Sequence, residues 1–256
     1  MLVAAALPPP RPAQTGDAPR YRAAQLECAR FAESSRSEIT TSTPRASGEG
    51  AAERYGLWQF RAGDSAGAVA LEGWYDSLAI RRRTPAGELI PDTDGLIGGR
   101  YRGRLDSIGH YEPATRPFIP DEVAEVADLS TALDDLFPPL PPAPLPPGAS
   151  WQGANGTIAR LADTLVGGRT LLHFALDLRR RASETTPRGD TIPVALTQTT
   201  TEQGTLLWDP PIGLVERRRE ILIETSIPAA GRIRTPVRSR VVQHVTLTRL
   251  PPRPCS

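Results

Sequence analysis

The chain has 256 residues, and its 30 basic residues, all arginine, stand against 29 acidic ones for a formal net charge of +1. Such a balance makes no global electrostatic claim on nucleic acid or on an anionic membrane. The absence of lysine excludes a Schiff-base lysine and a Walker-type phosphate loop, both of which need that side chain.

A chain of this length can bury roughly 70–75% of its unfolded surface, enough for a substantial core. The 27 prolines, roughly twice the usual share, and 22 glycines interrupt it often, which disfavours long helices and favours short strands with turns. No run approaches 18 apolar residues, so no transmembrane segment is expected. Residues 1–19 read as a tail or the remnant of a secretory signal peptide. The apolar run Leu2–Leu7 is broken by Pro8, Pro9 and Pro10, with cleavage expected around Ala13 to Gly16. The expected compartment is therefore outside the cytoplasm, periplasmic or outer-envelope associated, in a bacterium.

Residues 20–256 are expected to form one β domain in two halves, 20–137 and 151–256, joined by a proline strap over 138–150. Tyr21 to Thr43 is strand-like and contains Cys28. Tyr55–Arg61 reads as a strand, Gly63–Gly67 as a turn, and Val69–Arg83 as a strand on the strength of its flanking turns. Glu88–Ile90 is short, Pro91–Gly95 is a turn, and the glycines of Leu96–Tyr111 mark bulges or curvature. A helix is predicted from Pro120. Asp121 and Glu122 suit its positive end, and Val123, Val126, Ala127, Leu133, Leu136 and Phe137 form one apolar stripe before Pro138 ends it.

Seven of the ten residues from Pro138 to Pro147 are proline, which enforces an extended strap anchored by Phe137 and Trp151. Strands are then predicted near Gly156–Leu161, Thr170–Arg179, Thr191–Thr201, Thr205–Asp209, Gly213–Ser226 and Val237–Leu250. Leu57–Trp58 and Leu207–Trp208 each precede a turn and a long strand, a faint echo between the halves. The fold class is mainly β: a curved antiparallel sheet, or open half-barrel, with one short central helix. A two-half β-sandwich is the alternative.

The proline strap, Gly148, Ser150 and Trp151 at the entry to the second half, and the run from Gly204 to Val215 (GTLLWDPPIGLV) carry a resemblance. It is to a broad group of bacterial envelope β proteins without an assigned activity. They are similar in outline to the half-barrels of lipoprotein carriers, and some are lipid-anchored. The resemblance implies a lipid-like or amphipathic ligand, or an envelope partner, and carries no catalytic residues with it.

Several local patterns bear on chemistry. Gly63–Asp64–Ser65–Ala66–Gly67 matches GxSxG, so a serine esterase with Ser65 as nucleophile is an alternative function. It would draw on Asp76 or Asp106 and His110 or His173. The same residues are ordinary turn chemistry. The three histidines, His110, His173 and His244, have no metal-ligand spacing, and Asp92–Thr93–Asp94–Gly95 begins a calcium loop without completing it. No metal and no cofactor are therefore expected. Cys28 and Cys255 form a candidate disulfide that would tie the chain ends.

Three Arg triplets, at 81–83, 179–181 and 217–219, lie in or at the ends of predicted strands. Strand alternation sends at least one arginine of each triplet to each face. Arg81, Arg82, Arg179, Arg180, Arg217 and Arg218 are the candidate anion-binding residues, with edge protection and solubility as the competing role. The sequence thus points to a non-enzymatic exported β protein that binds an amphipathic ligand or an envelope partner. A serine esterase and a purely structural envelope protein remain as alternatives.

Overall fold

A computed structural model describes residues 18–188, 191–229 and 235–253, with backbone only for 184–188 and 191–195. The expected signal segment and Cys255 lie outside the described residues. The described residues build a 13-stranded sheet ordered β6-β5-β3-β2-β1-β13-β12-β11-β10-β8-β7, with β4 paired to β3 and β9 to β10. Every strand pair is antiparallel. The edges β6 and β7 do not pair, so the sheet stays open.

The path of the chain explains this order. After a single helical turn, α1 (Ala23–Leu26), the chain enters β1 (Arg30–Thr43) at the middle of the sheet. It then steps outward through β2 (Ala46–Ser65), β3 (Ala68–Thr84), β4 (Gly87–Leu89), β5 (Tyr101–Leu105) and β6 (Tyr111–Thr115). Residues 116–149 cross to the opposite edge. The chain returns inward through β7 (Ser150–Gly153), β8 (Gly156–Arg160), β9 (Thr164–Val166), β10 (Arg169–Arg188), β11 (Thr191–Asp209), β12 (Gly213–Ile227) and β13 (Val237–Arg249). The last strand pairs with the first from Phe31↔Arg249 to Ser42↔Arg238. The two halves therefore share one sheet, and the sandwich alternative is set aside.

Strands form where alternation and β-branched residues predict them, and they run longer than expected. The turn expected over Gly63–Gly67 narrows to Ala66 and Gly67, and the break expected between Thr201 and Thr205 does not occur. Gly204 lies inside β11 at a position that requires glycine, since a Cβ there would meet the Arg218 carbonyl oxygen of β12 at 2.2 Å. The echo between the halves has a structural counterpart. The pairing register shifts between Leu57 and Trp58 in β2 and between Leu207 and Trp208 in β11, and both tryptophans are fully buried. A bulge of this kind bends a strand and increases its twist.

The predicted central helix is much shorter than its apolar stripe. Helix α2 covers only Asp121–Ala124, and turns follow to Leu136. An Asx turn competes with helix here, since Asp128 Oδ1 accepts the Ser130 N–H at 2.9 Å. The stripe still reaches the core, because Val123, Leu133, Leu136 and Phe137 are buried. Cys28 likewise lies in the turn before β1, with φ 55°, and not in a strand.

The crossing segment lies on the inner face of the sheet and fills one end of it. Phe137 packs edge-on against Phe60 (5.6 Å between centroids) and Tyr21 (5.5 Å). Tyr101 donates to the Leu129 carbonyl at 2.9 Å, and Tyr21 donates to that of Pro138 at 3.0 Å. The proline strap is held in turn by the Arg20 guanidinium, which reaches the Pro141 and Pro142 carbonyls. Phe31, Trp58, Tyr75, Phe174 and Trp208 complete this aromatic end of the core.

Candidate functional site

Because strand residues alternate faces, every second residue of the long strands points inward, and the pairing register sorts these into rows across the sheet. One row holds Glu33, Leu247 and Arg217. The next holds Arg54, Ser35, Val245 and Arg219. A third holds Ser37, Gln243, Ile221 and Glu202, and a fourth Ile39, Val241, Ile223, Thr200 and Arg180. From the aromatic end the inner face therefore passes through a charged layer into an aliphatic one.

A cavity of about 530 Å³ lies between these outer rows and residues 126–135 of the crossing segment. Small-molecule sites fall in the range of about 300–1,000 Å³. Its aliphatic wall is made by Ile39, Ile80, Ile221, Ile223 and Val241, with Val126, Ala127 and Ala132 from the roof. Its polar part is lined by Arg54, Arg180, Arg219, Glu202 and Gln243.

The charged layer consists of two buried clusters. Glu33 accepts a hydrogen bond from Arg54, a second from Trp58 Nε1 at 2.8 Å and a long one from the Tyr75 hydroxyl at 3.4 Å. Burial alone would raise the Glu33 carboxyl, but the Arg54 guanidinium and the hydrogen bonds override it and hold it below the ordinary value. Burial raises the Tyr75 phenol, and the Glu33 charge raises it further.

In the second cluster Glu202 accepts a hydrogen bond from Arg217 and lies 3.6 Å from Arg219. Two guanidiniums thus share one carboxylate. Burial and then the charge of Arg217 push Arg219 down to about 10 despite Glu202. Both arginines also hold the roof. Arg217 donates to the Asp135 and Leu136 carbonyls at 2.6 and 3.1 Å, and Arg219 to that of Asp135 at 3.2 Å. Arg180 reaches the Asp135 carboxylate at 2.9 Å.

The sequence-predicted arginines divide by face. Arg82, Arg180 and Arg217 point inward, and Arg82 donates to the Glu125 carbonyl of the roof at 2.8 Å. Arg81 pairs with Glu88 at 3.6 Å, Arg218 pairs with Glu216 at 2.8 Å, and Arg179 is exposed, all on the outer face. The arginines that line the cavity beside Arg180 are Arg54 and Arg219, which sequence reasoning missed along with Glu33 and Glu202. One signal was available. Glu33 stands two residues from Phe31, so both share the inward face of one strand.

Ser65 does not sit on an elbow. It ends β2 opposite Ala68, and the two residues between them, Ala66 (φ 43°) and Gly67 (φ 83°), form a tight hairpin turn with a strand after it. Asp106 is engaged in its own turn, accepting the backbone N–H of Ile108 and of His110. Asp92 accepts the N–H of Asp94 in a similar turn. Asn155 lies in the hairpin turn between β7 and β8.

No family model and no curated protein matches the sequence. Two solved structures are similar in part. One is lipovitellin, from a study of its lipid–protein interactions, at 12% identity and a TM-score of 0.45, over 90% of this chain and 26% of that one. The other is MucB in complex with MucA(peri), at 9% identity and a TM-score of 0.15, over 83% of this chain and 88% of that one. The chain spans about a quarter of the length of the lipovitellin chain.

Proposed function

We propose that this protein binds an amphipathic ligand without transforming it, in the cavity between the sheet and residues 126–135. The observation that carries this is the two-part wall, with aliphatic side chains on one side and the guanidiniums of Arg54, Arg180 and Arg219 on the other. A concave cavity with convergent polar groups beside an apolar wall is a form that small-molecule sites take. Its roof is held by the buried side chains of Leu129 and Leu133 and by hydrogen bonds from Tyr101, Arg217 and Arg219 to backbone carbonyls.

Export is part of the same proposal. It is supported by the absence of a free cysteine among the described residues, which suits an oxidising compartment. Native mass spectrometry of the gently extracted protein tests the reading. A retained amphipath released on denaturation is the expected result. A bare chain that also binds no added amphipath favours the purely structural alternative. The esterase alternative predicts fluorophosphonate labelling abolished by Ser65→Ala. The hairpin geometry of Ser65 leads us to expect none.

A further inference from the structure

We propose that the ligand carries an acidic head, a carboxylate or a phosphate, that docks on Arg219 while its apolar chain lies along Ile39, Ile223 and Val241. This rests on the amphipathic-ligand reading and adds the sign and place of the head group.

The charge count of the second cluster leads there first. Arg217 and Arg219 are 3% and 10% exposed at their side chains, and Glu202 at 6% is the one carboxylate between them. The nearby acids are committed elsewhere. Asp135 gives its carboxylate to Arg180, Glu33 gives its own to Arg54, and Asp128 accepts from Ser130. A largely buried guanidinium that shares its carboxylate with a second one is incompletely compensated, and an anion that enters beside it lowers the cost.

The donor count agrees. A guanidinium has five N–H donors in a rigid fork. Only Nη1 of Arg219 is engaged, with the Asp135 carbonyl and, at longer range, Glu202. Among the described residues Nε and Nη2 have no hydrogen-bond partner, and Arg219 lines the cavity. Arg54 also lines it but is already paired with Glu33 through Nη2, and its Nε is closed off by packing. The fork of Arg219 is therefore the place where two parallel N–H bonds to an oxyanion can form.

The rest of the wall sets the other half of the ligand. Arg219 stands in the row directly before the Ile221 row, and Ile223 and Val241 follow two residues further along their strands. A chain attached to a head on Arg219 would thus run from the charged layer toward the far end of the sheet, over aliphatic side chains.

The test is calorimetric titration of the full chain with dodecanoate, dodecyl phosphate, dodecanol and dodecyltrimethylammonium, each below its micellar concentration. Both anions should bind at least about tenfold tighter than the alcohol, since a charge-assisted pair is worth more than a neutral one. The cation should bind worst. Arg219→Gln should reduce the anions to the level of the alcohol and leave the alcohol unchanged. Arg219→Lys should recover only part of the difference, because the charge returns without the fork. Circular dichroism confirms that each variant is folded. If Arg219→Gln is unfolded, the ranking of the four probes on the native chain decides alone. Alcohol and anions binding equally, or anions indifferent to Arg219→Gln in a folded variant, would overturn the acidic head and leave the amphipathic reading standing. Binding of none of the four would overturn both. The ratio of dodecanoate to dodecyl phosphate separates a fatty-acid head from a phospholipid-type one.

Discussion

Glu33 and Arg54 are the most consequential single residues in the inner face. Glu33 is buried and Arg54 largely so, and each neutralises the other next to the rings of Trp58 and Tyr75. Removing one partner of a buried pair leaves an uncompensated charge, which costs about 3–5 kcal/mol, whereas removing both can be nearly neutral. Glu33→Gln is therefore expected to lower the unfolding free energy by about 3 kcal/mol, and Glu33→Gln with Arg54→Met to restore most of it. Urea unfolding of the four proteins in the cycle measures this. The same carboxyl gives a pH dependence of known sign. Its folded value lies below the ordinary 4.5, so its contribution is present above that value. It is lost as the pH falls through the lower value held in the fold. Glu202, held low against burial by Arg217 and Arg219, adds a contribution of the same sign. The urea midpoint should fall as the pH drops below about 4.5, and less steeply in Glu33→Gln. An unchanged slope would assign the acid sensitivity to other carboxylates. None of these roles was legible in the sequence, because the partner of an inward charge is set by the register between strands, which no local pattern specifies.

At the scale of the element, the strands were legible and the crossing segment was not. Alternation survives in β1 and β3 because one face is buried along much of each strand. Between Pro120 and Phe137 the apolar residues recur at helical spacing, yet most of that backbone is a series of turns. The spacing and the acidic first turn predict a helix, yet the same side chains are buried by irregular backbone whose polar groups bond to Tyr101, Arg82, Arg217 and Arg219. The arginine triplets show the same limit. That each would straddle the sheet followed from alternation, but which member faces inward depends on strand parity. Here Arg217 and Arg219 share the inner face and Arg218 the outer one. The hairpin of β2 and β3 offers a check on turn chemistry. Ala66 holds φ 43° ahead of Gly67 at 83°, a left-handed pair in which an L-residue with a Cβ is disfavoured by roughly 1–2 kcal/mol. Asn tolerates that conformation, and Asn-Gly is the preferred pair for such a turn. Ala66→Asn should therefore stabilise the protein by about 0.5–1 kcal/mol, seen as a raised denaturation midpoint. A lowered midpoint would mean that the turn is not left-handed at both positions.

At the scale of the molecule, the fold depends on how its two ends meet. The chain starts and finishes its strands at the centre of the sheet, so the β1–β13 ladder is the seam that makes two halves into one body. The ladder ends at Phe31↔Arg249, and the Leu250 N–H then donates to the Arg30 carbonyl at 2.9 Å. Cys28 precedes this end of the ladder by three residues, and Cys255 follows it by six in the sequence. Cys28 is not a free thiol, and the sequence holds only two cysteines. We therefore expect Cys28 and Cys255 to pair, closing a loop of nearly the whole chain at its seam. On the chain-entropy account a loop that long contributes about 4–5 kcal/mol, an upper figure where the unfolded chain retains structure. Alkylation under denaturing, non-reducing conditions should leave the intact mass unchanged. After reduction both cysteines should be modified, and the reduced protein should unfold at lower urea. Alkylation without reduction would overturn the pairing and leave the seam to the β1–β13 ladder alone. Loss of the bridge should also weaken ligand retention less than it weakens the fold, because Arg219 and the aliphatic wall lie several rows from the end of the ladder that the bridge would clamp.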